Sequence, residues 1–181
     1  MLITDGFDKI TVKGITEKAY ISRKTFYLHY VDKYDLLDTI VNMKLKELEK
    51  ICEQKTDKGF IEGIVIWFNY FEQHKAFFSA LFKTESTVSF RKQLLDFIAN
   101  QLNKKINKIN SEKDAEILLR FLSMAVLGIV EAFVLNEFNI GTEQLAKQVG
   151  ELLAQNISLA RSAISSESQG YTSENRQAYQ L

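Results

Sequence analysis

The sequence predicts an all-α fold, and two observations carry the prediction. Proline is absent from all 181 residues. Proline breaks helix interiors but serves turns and sheet edges, so a chain without it is free to be helical nearly throughout. Apolar residues also recur at three- and four-residue spacing along most of the chain, the period of helices with one buried face. With 46% apolar residues there is ample material for a core, and the length suits one compact domain or a small module on a larger one.

The elements follow in order. A first short segment ends at Asp5-Gly6, with Gly6 placed as a C-terminal cap. Thr11 caps a second helix over Val12 to Ala19, and Ser22 caps a third from Arg23 to about Tyr30. Asp32 caps a fourth from Lys33 to about Gln54, whose stripe Leu37, Ile40, Val41, Leu45, Leu48 and Ile51 is expected to be buried. After a break over Thr56 to Gly59, Phe60 to about Phe71 is apolar almost all round and reads as a deeply buried helix. Gln73 to Phe82 is short and aromatic. Thr84 to Ser89 is a second break, and Phe90 to about Lys108 an amphipathic helix. Ser111 caps a long helix lasting to Glu137 or Phe138, and Glu143 to about Ile164 is the last. The polar segment 165–181 lacks a stripe and is expected to be a disordered tail.

Composition excludes several function classes. Formal net charge is zero, so a nucleic-acid partner must be met by a local patch. Cys52 is the only cysteine, which excludes an internal disulfide and a cysteine-based metal site. The start MLITDGFDKI lacks the basic-then-apolar order of a signal peptide. No apolar run approaches the about 20 residues that span a bilayer. A soluble, cytoplasmic protein without a membrane partner is expected. His29 reads as a surface or backbone-contacting residue, and His74 has no cysteine or histidine at metal spacing. No phosphate loop, nucleophile elbow or paired carboxylates occur. No cofactor and no enzymatic role are expected.

The stretch ISRKTFYLHYVDKYDLL, residues 21–37, carries the functional signal. Two short helices joined by Tyr20-Ile21-Ser22 make a helix-turn-helix pattern. Ile15, Ala19, Ile21 and Phe26 are expected to form its small core. The opposite face of the third helix carries Arg23, Lys24, Thr25, Tyr27 and His29. From Lys9 to Lys33 there are six lysines and arginines against two acids, Glu17 and Asp32, a surplus of about four charges in a neutral protein. Such a surplus suits a phosphate backbone, and the front of a second helix suits the major groove.

GFDKITVKGITEKAYISRKTFYLHYVDKYDLL resembles the DNA-binding signature of the Tet repressor family. The matching positions are Gly6-Phe7, Thr11-Val12, Ser22, Thr25-Phe26-Tyr27, Tyr30, Lys33 and Leu36-Leu37. The later helices resemble the family's regulatory domain in number, length and order. The resemblance implies that Arg23, Lys24 and Thr25 face base edges or adjacent phosphates. It implies that Tyr27 and Lys33 meet phosphates, that Thr11 places a backbone N–H or its hydroxyl on the DNA backbone, that Ser22 and His29 belong to the DNA-binding set, and that Phe26 and Tyr30 are core. Tyr20 stands where the family usually has a small residue, so either its backbone is unusual or the turn lengthens. Only Met1 to Asp5 precede Gly6, a first helix shorter than the family's.

The expected organisation is a helix-turn-helix DNA-binding unit over 1–45, an antiparallel helical ligand-binding and dimerisation bundle over 46–164, and the tail. The aromatic residues of the middle helices are first of all core. Their number also suggests a cavity bordered by Trp67, Phe71, Phe78, Phe97, Phe121 and Met124, for a small apolar or amphipathic effector. Small residues on the long helix, with Phe121, Ala125, Gly128 and Ala132 on one face, allow close helix approach. With Val149, Leu152, Leu153 and Ile157 of the last helix they are expected to form a homodimer interface. Glu131 reads as lying on an exposed stripe or pairing across that interface, in preference to touching a ligand. The function expected is a ligand-responsive repressor that binds a palindromic operator in double-stranded DNA as a dimer. The alternatives are a protein–protein module acting through a partner regulator without touching DNA, and a small-molecule carrier.

Overall fold

The computed structural model describes residues 1–53, 59–84, 87–106 and 112–177, and every regular element among them is a helix. The head holds α1 (Leu2–Asp5), a 3-10 turn (Phe7–Lys9), α2 (Val12–Ala19) and α3 (Arg23–Tyr27). The body holds α4 (Lys33–Glu53), α5 (Phe60–Gln73), α6 (Lys75–Phe82), α7 (Val88–Ile106), α8 (Glu112–Val134) and α9 (Thr142–Gln177).

The predicted caps operate. Gly6 ends α1 at φ +76°, a conformation that favours glycine, and its N–H donates to Leu2 O at 3.2 Å. Asp32 Oδ1 accepts from the N–H groups of Tyr34 and Asp35 at 2.8 and 2.9 Å. Asp35 Oδ2 in turn accepts from Val31 N–H at 2.9 Å, a reciprocal cap that the sequence reading missed. The Ser111 cap and the start of the break at Thr56 lie outside the described residues. So do the far ends expected for α4 and α7.

α4 runs unbroken across the expected boundary at 45/46, so head and body share one core. That core begins at Phe7 and Ile10 and passes along Leu37, Val41 and Leu48 into Phe68, Phe71, Phe78, Leu94 and Val130. α4 packs against α5 and α7, α5 against α9, α7 against α8, and α6 against α8. α1 rests on α6, a second link from head to body. Rings form a ladder at the centre: Phe71 to Phe78 at 4.8 Å between centroids, Phe78 to Phe90 at 6.1 Å, and Phe82 to Phe90 at 4.9 Å. The close helix approach lies at Gly150, where a Cβ would meet Ile61 Cα at 3.3 Å.

Four expectations are corrected. Ile40 is exposed, because α4 buries only the Leu37, Val41, Leu45 and Leu48 rows. In the head, Ala19 and Ile21 are exposed, and Thr16 is buried in their place with its hydroxyl donating to Lys13 O at 2.9 Å. α9 continues to Gln177, over most of the segment expected to be a disordered tail. It contains no proline, and a helix already nucleated by packing extends at little cost. Finally, Glu116–Val134 is a 19-residue stretch of mean hydropathy 2.2, a third of it buried, long and apolar enough by composition to cross a membrane. Here it is the helix that packs one face on α7 and leaves an apolar face outside.

The α4–α5 joint is expected to make folding pH-dependent. Tyr70 Oη donates to Lys44 O at 2.8 Å and to Glu47 Oε2 at 3.0 Å, while Lys44 Nζ lies 2.9 Å from the same carboxylate. Burial and then Glu47 push the Tyr70 hydroxyl up, and hydrogen bonds from Lys44 and Tyr70 hold Glu47 below the usual carboxylate range. The His74 ring stands edge-on to Tyr70 at 4.4 Å, and burial, then Lys44, lower its pKa. A histidine that is harder to protonate when folded lets the unfolded chain take the proton first, so stability falls as pH drops below about 6.5. Glu47 and Glu49, both lowered, add a loss at more acid pH. Thermal melts should therefore decline in two stages on acidification. His74→Gln should remove the stage that starts near neutrality and leave the acid one.

Candidate nucleic-acid interface

The recognition segment is assembled by local hydrogen bonds. Thr11 Oγ1 accepts from Gly14 N–H at 3.1 Å and opens α2. Tyr20 closes α2 in the left-handed conformation, φ 56° and ψ 38°, and is 96% exposed. The unusual backbone, and not a longer turn, is thus how the chain accommodates a side chain there. Ser22 Oγ accepts from Thr25 N–H at 3.0 Å, and the two hydroxyls lie 2.8 Å apart. Phe26 anchors α3 with 2% exposure, its ring 5.4 Å from Tyr27 and 5.5 Å from Tyr30. With Phe26 inward, Arg23, Lys24, Thr25, Tyr27 and His29 all lie exposed. The structure thus brings six of the eight expected DNA-facing residues, Ser22 included, to one exposed segment, with Thr11 at the start of the neighbouring α2.

Lys33 is placed differently. Its Nζ donates to the carbonyl oxygens of Phe7 and Asp8 at 3.1 and 3.2 Å and stands 4.7 Å from the Phe7 ring centre. The ammonium satisfies the carbonyls of the 3-10 turn and leaves one of its three donors for a phosphate. Lys33→Ala should therefore lower thermal stability as well as DNA affinity. A loss of about 1–2 kcal/mol is expected from a half-exposed charged hydrogen bond and a cation–π contact. A melt identical to wild type would show that Lys33 serves phosphate alone.

The expected ligand-pocket residues fall into three separate groups. Phe71 and Phe78 are fully buried in the ring ladder, and Trp67 packs on Phe97 at 5.5 Å. Phe121 and Met124 are 60% and 51% exposed on α8. Phe121 lies one position before the buried Leu122, and Met124 lies midway between the buried Leu122 and Val126, so both point outward. Phe97 does border a cleft of about 290 Å³ between α4 and α7, whose other walls include Asn42, Leu45, Gln93, Asp96 and Asn100. These walls are mostly polar, unlike the apolar pocket expected.

The expected dimer residues divide as well. Phe121, Ala125, Gly128 and Leu152 are exposed, and Ala132 is half-buried. Val149, Leu153 and Ile157 are buried in the chain's own core, because α9 lays that row inward where it packs on α5. Ile117, at 72% exposure, extends the outer stripe of α8 and was not foreseen, although its spacing to Phe121 shows it. Glu131 is neither on a bare stripe nor free to cross an interface. Its carboxylate takes both Arg91 guanidinium nitrogens, Nη2 at 2.6 Å, and Arg91 also donates to Phe82 O at 3.2 Å. The pair locks α7 to α8 and to the end of α6, and the hydrogen bonds to Glu131 raise the Arg91 pKa further.

Residues 1–40 match the bacterial regulatory proteins of the tetR family, and residues 58–155 match a transcriptional regulator C-terminal region. The HTH-type dhaKLM operon transcriptional activator DhaS of Lactococcus lactis subsp. lactis (strain IL1403) is 21% identical over 167 residues, covering 90% of this chain and 87% of that one. A solved structure of the dihydroxyacetone kinase operon activator DhaS superposes with a TM-score of 0.64 at 21% identity, over 87% of this chain and 90% of that one. The fatty acid degradation regulator FadR from Bacillus halodurans gives 0.59 at 16% identity, over 84% and 88%. At these identities the structural likeness carries the fold. The family matches, with the helix-turn-helix geometry described above, bear out the resemblance read from residues 6–37: the chain belongs to the tetR family and is a transcriptional regulator with a DNA-binding helix-turn-helix.

Proposed function

We propose that the chain acts in the cytoplasm as a homodimer on a palindromic operator, and represses by occupying it, with no catalytic role. The observation that carries this reading is the exposed cationic and hydroxyl face of α3, held opposite the buried Phe26. The exposed apolar stripe of α8, with Leu152 of α9, supports the dimer. Ligand response is supported by the α4–α7 cleft. α4 carries the head, and the cleft lies between two polar links from α4 to α7: Asp38 with Ser89 and Gln93 at 3.0 and 2.9 Å, and Glu49 with Gln101 and Lys104 at 3.0 and 2.9 Å. Among the described residues Gln93 Oε1 is buried with no hydrogen-bond partner, which suits an effector bearing a hydrogen-bond donor. Such a molecule would change the tilt of α4 and so the separation of the heads.

A second reading, activation, is favoured by the DhaS relative, which is named an activator. A third, action through a partner regulator without DNA contact, is favoured by the inward tie of Lys33. Binding of the full chain to duplex DNA, measured by anisotropy across salt concentrations, tests the DNA reading. Log affinity should fall steeply with log salt, by about 0.9 per phosphate contact. Joint replacement of Arg23 and Lys24 by alanine should weaken it further. Affinity independent of salt, or none at low salt, would leave the partner reading.

A further inference from the structure

We propose that Leu28 reads the 5-methyl group of a thymine, and so fixes one T·A pair in each operator half-site. The inference rests on the proposed seating of α3 in the major groove. Leu28 follows the last residue of α3 with helical dihedrals, φ −72° and ψ −22°. Its N–H donates to Lys24 O at 3.1 Å, which places it one turn beyond Lys24 on the same face. Phe26 points into the core. At 3.6 residues per turn, the positions two before and two after it turn about 160° away. Those positions are Lys24 and Leu28. They are the side chains of this segment aimed most directly outward, and Leu28 is 72% exposed.

An exposed leucine is ordinary by itself. This one sits at the end of an exposed segment otherwise made of Arg23, Lys24, Thr25, Tyr27 and His29. The occupant of that face must suit both characters. A second copy of the head would bring like charges together, whereas a duplex supplies phosphates to the cations. In the major groove the one apolar group on a base edge is the thymine methyl. Leucine has no donor or acceptor, so that methyl is what it can discriminate. Val31, also exposed, lies past the helix with its N–H tied to Asp35, and Tyr20 belongs to the turn at the other end.

The test uses the full chain and an operator it selects from random duplex. Each thymine is replaced in turn, symmetrically in both half-sites, by deoxyuridine, which removes only the methyl. Wild type should lose about three- to fivefold per half-site at one position, the burial of one methyl group, and little elsewhere. Leu28→Ala should bind the thymine operator more weakly by a similar factor and show no further loss with deoxyuridine there. Its melt should match wild type, since the side chain packs little. If Leu28→Ala keeps the wild-type methyl sensitivity, or no position is sensitive in wild type, the inference is overturned while DNA binding stands. If wild type selects no duplex, the underlying reading falls and this one with it.

Discussion

Phe78→Ala is expected to destabilise the protein by about 3–5 kcal/mol, the range for truncating a buried phenylalanine to alanine. Phe78 is fully buried and touches four rings, with centroids at 4.8 Å to Phe71, 5.2 Å to Phe77, 6.1 Å to Phe90 and 6.3 Å to Tyr70. Three helices, α5, α6 and α7, meet on it, so no single side chain can relax into the space. For a chain of this size the melting temperature should fall by about 6–20 °C. Phe78→Leu, which keeps most of the volume, should cost far less. Because α1 rests on α6, DNA affinity should fall together with stability. A loss below about 1 kcal/mol would mean that the ladder is not the centre of the core.

Gly128→Arg is expected to convert dimer to monomer without unfolding the subunit. Among the described residues a Cβ at Gly128 meets nothing within 4 Å, so the subunit has room for the side chain. In a dimer built on the Phe121–Ala125–Gly128 stripe, two guanidinium groups would be forced into an apolar contact, at a cost of several kcal/mol unless paired. Two heads on one operator gain a factor of about 10²–10⁴ from being linked, and the monomer loses that gain. Sedimentation should give half the wild-type mass, with a loss of operator affinity in that range. A variant that remains dimeric would place the interface elsewhere.

The head was legible because its determinants are local. Thr11, Ser22 and Asp32 cap their helices through bonds to N–H groups two or three residues away, which spacing alone reveals. The αL turn at Tyr20 was one of two outcomes left open, since its φ of 56° is a conformation that side chains adopt rarely and that residue type does not announce. The inward tie of Lys33 was not legible because its partners, the carbonyls of Phe7 and Asp8, are distant in sequence and carry no signature in side-chain type. α8 and α9 are apolar on two faces each, so periodicity could not say which face the subunit uses. Gly150 against Ile61 decided it for α9, turning Val149, Leu153 and Ile157 inward. The Arg91–Glu131 pair joins residues 40 positions apart and had no local trace either.

Selection of bound duplexes from a random pool by the full-length chain, followed by sequencing, tests the central claim most directly. The account predicts an enriched palindrome whose half-site centres lie about 34–36 Å apart along the duplex, or a multiple of that, so that both copies of α3 meet major grooves on one face. The enrichment should vanish when Arg23 and Lys24 are both alanine. A bound pool with no palindrome, or one unchanged by that double replacement, would contradict a two-fold reader built on α3.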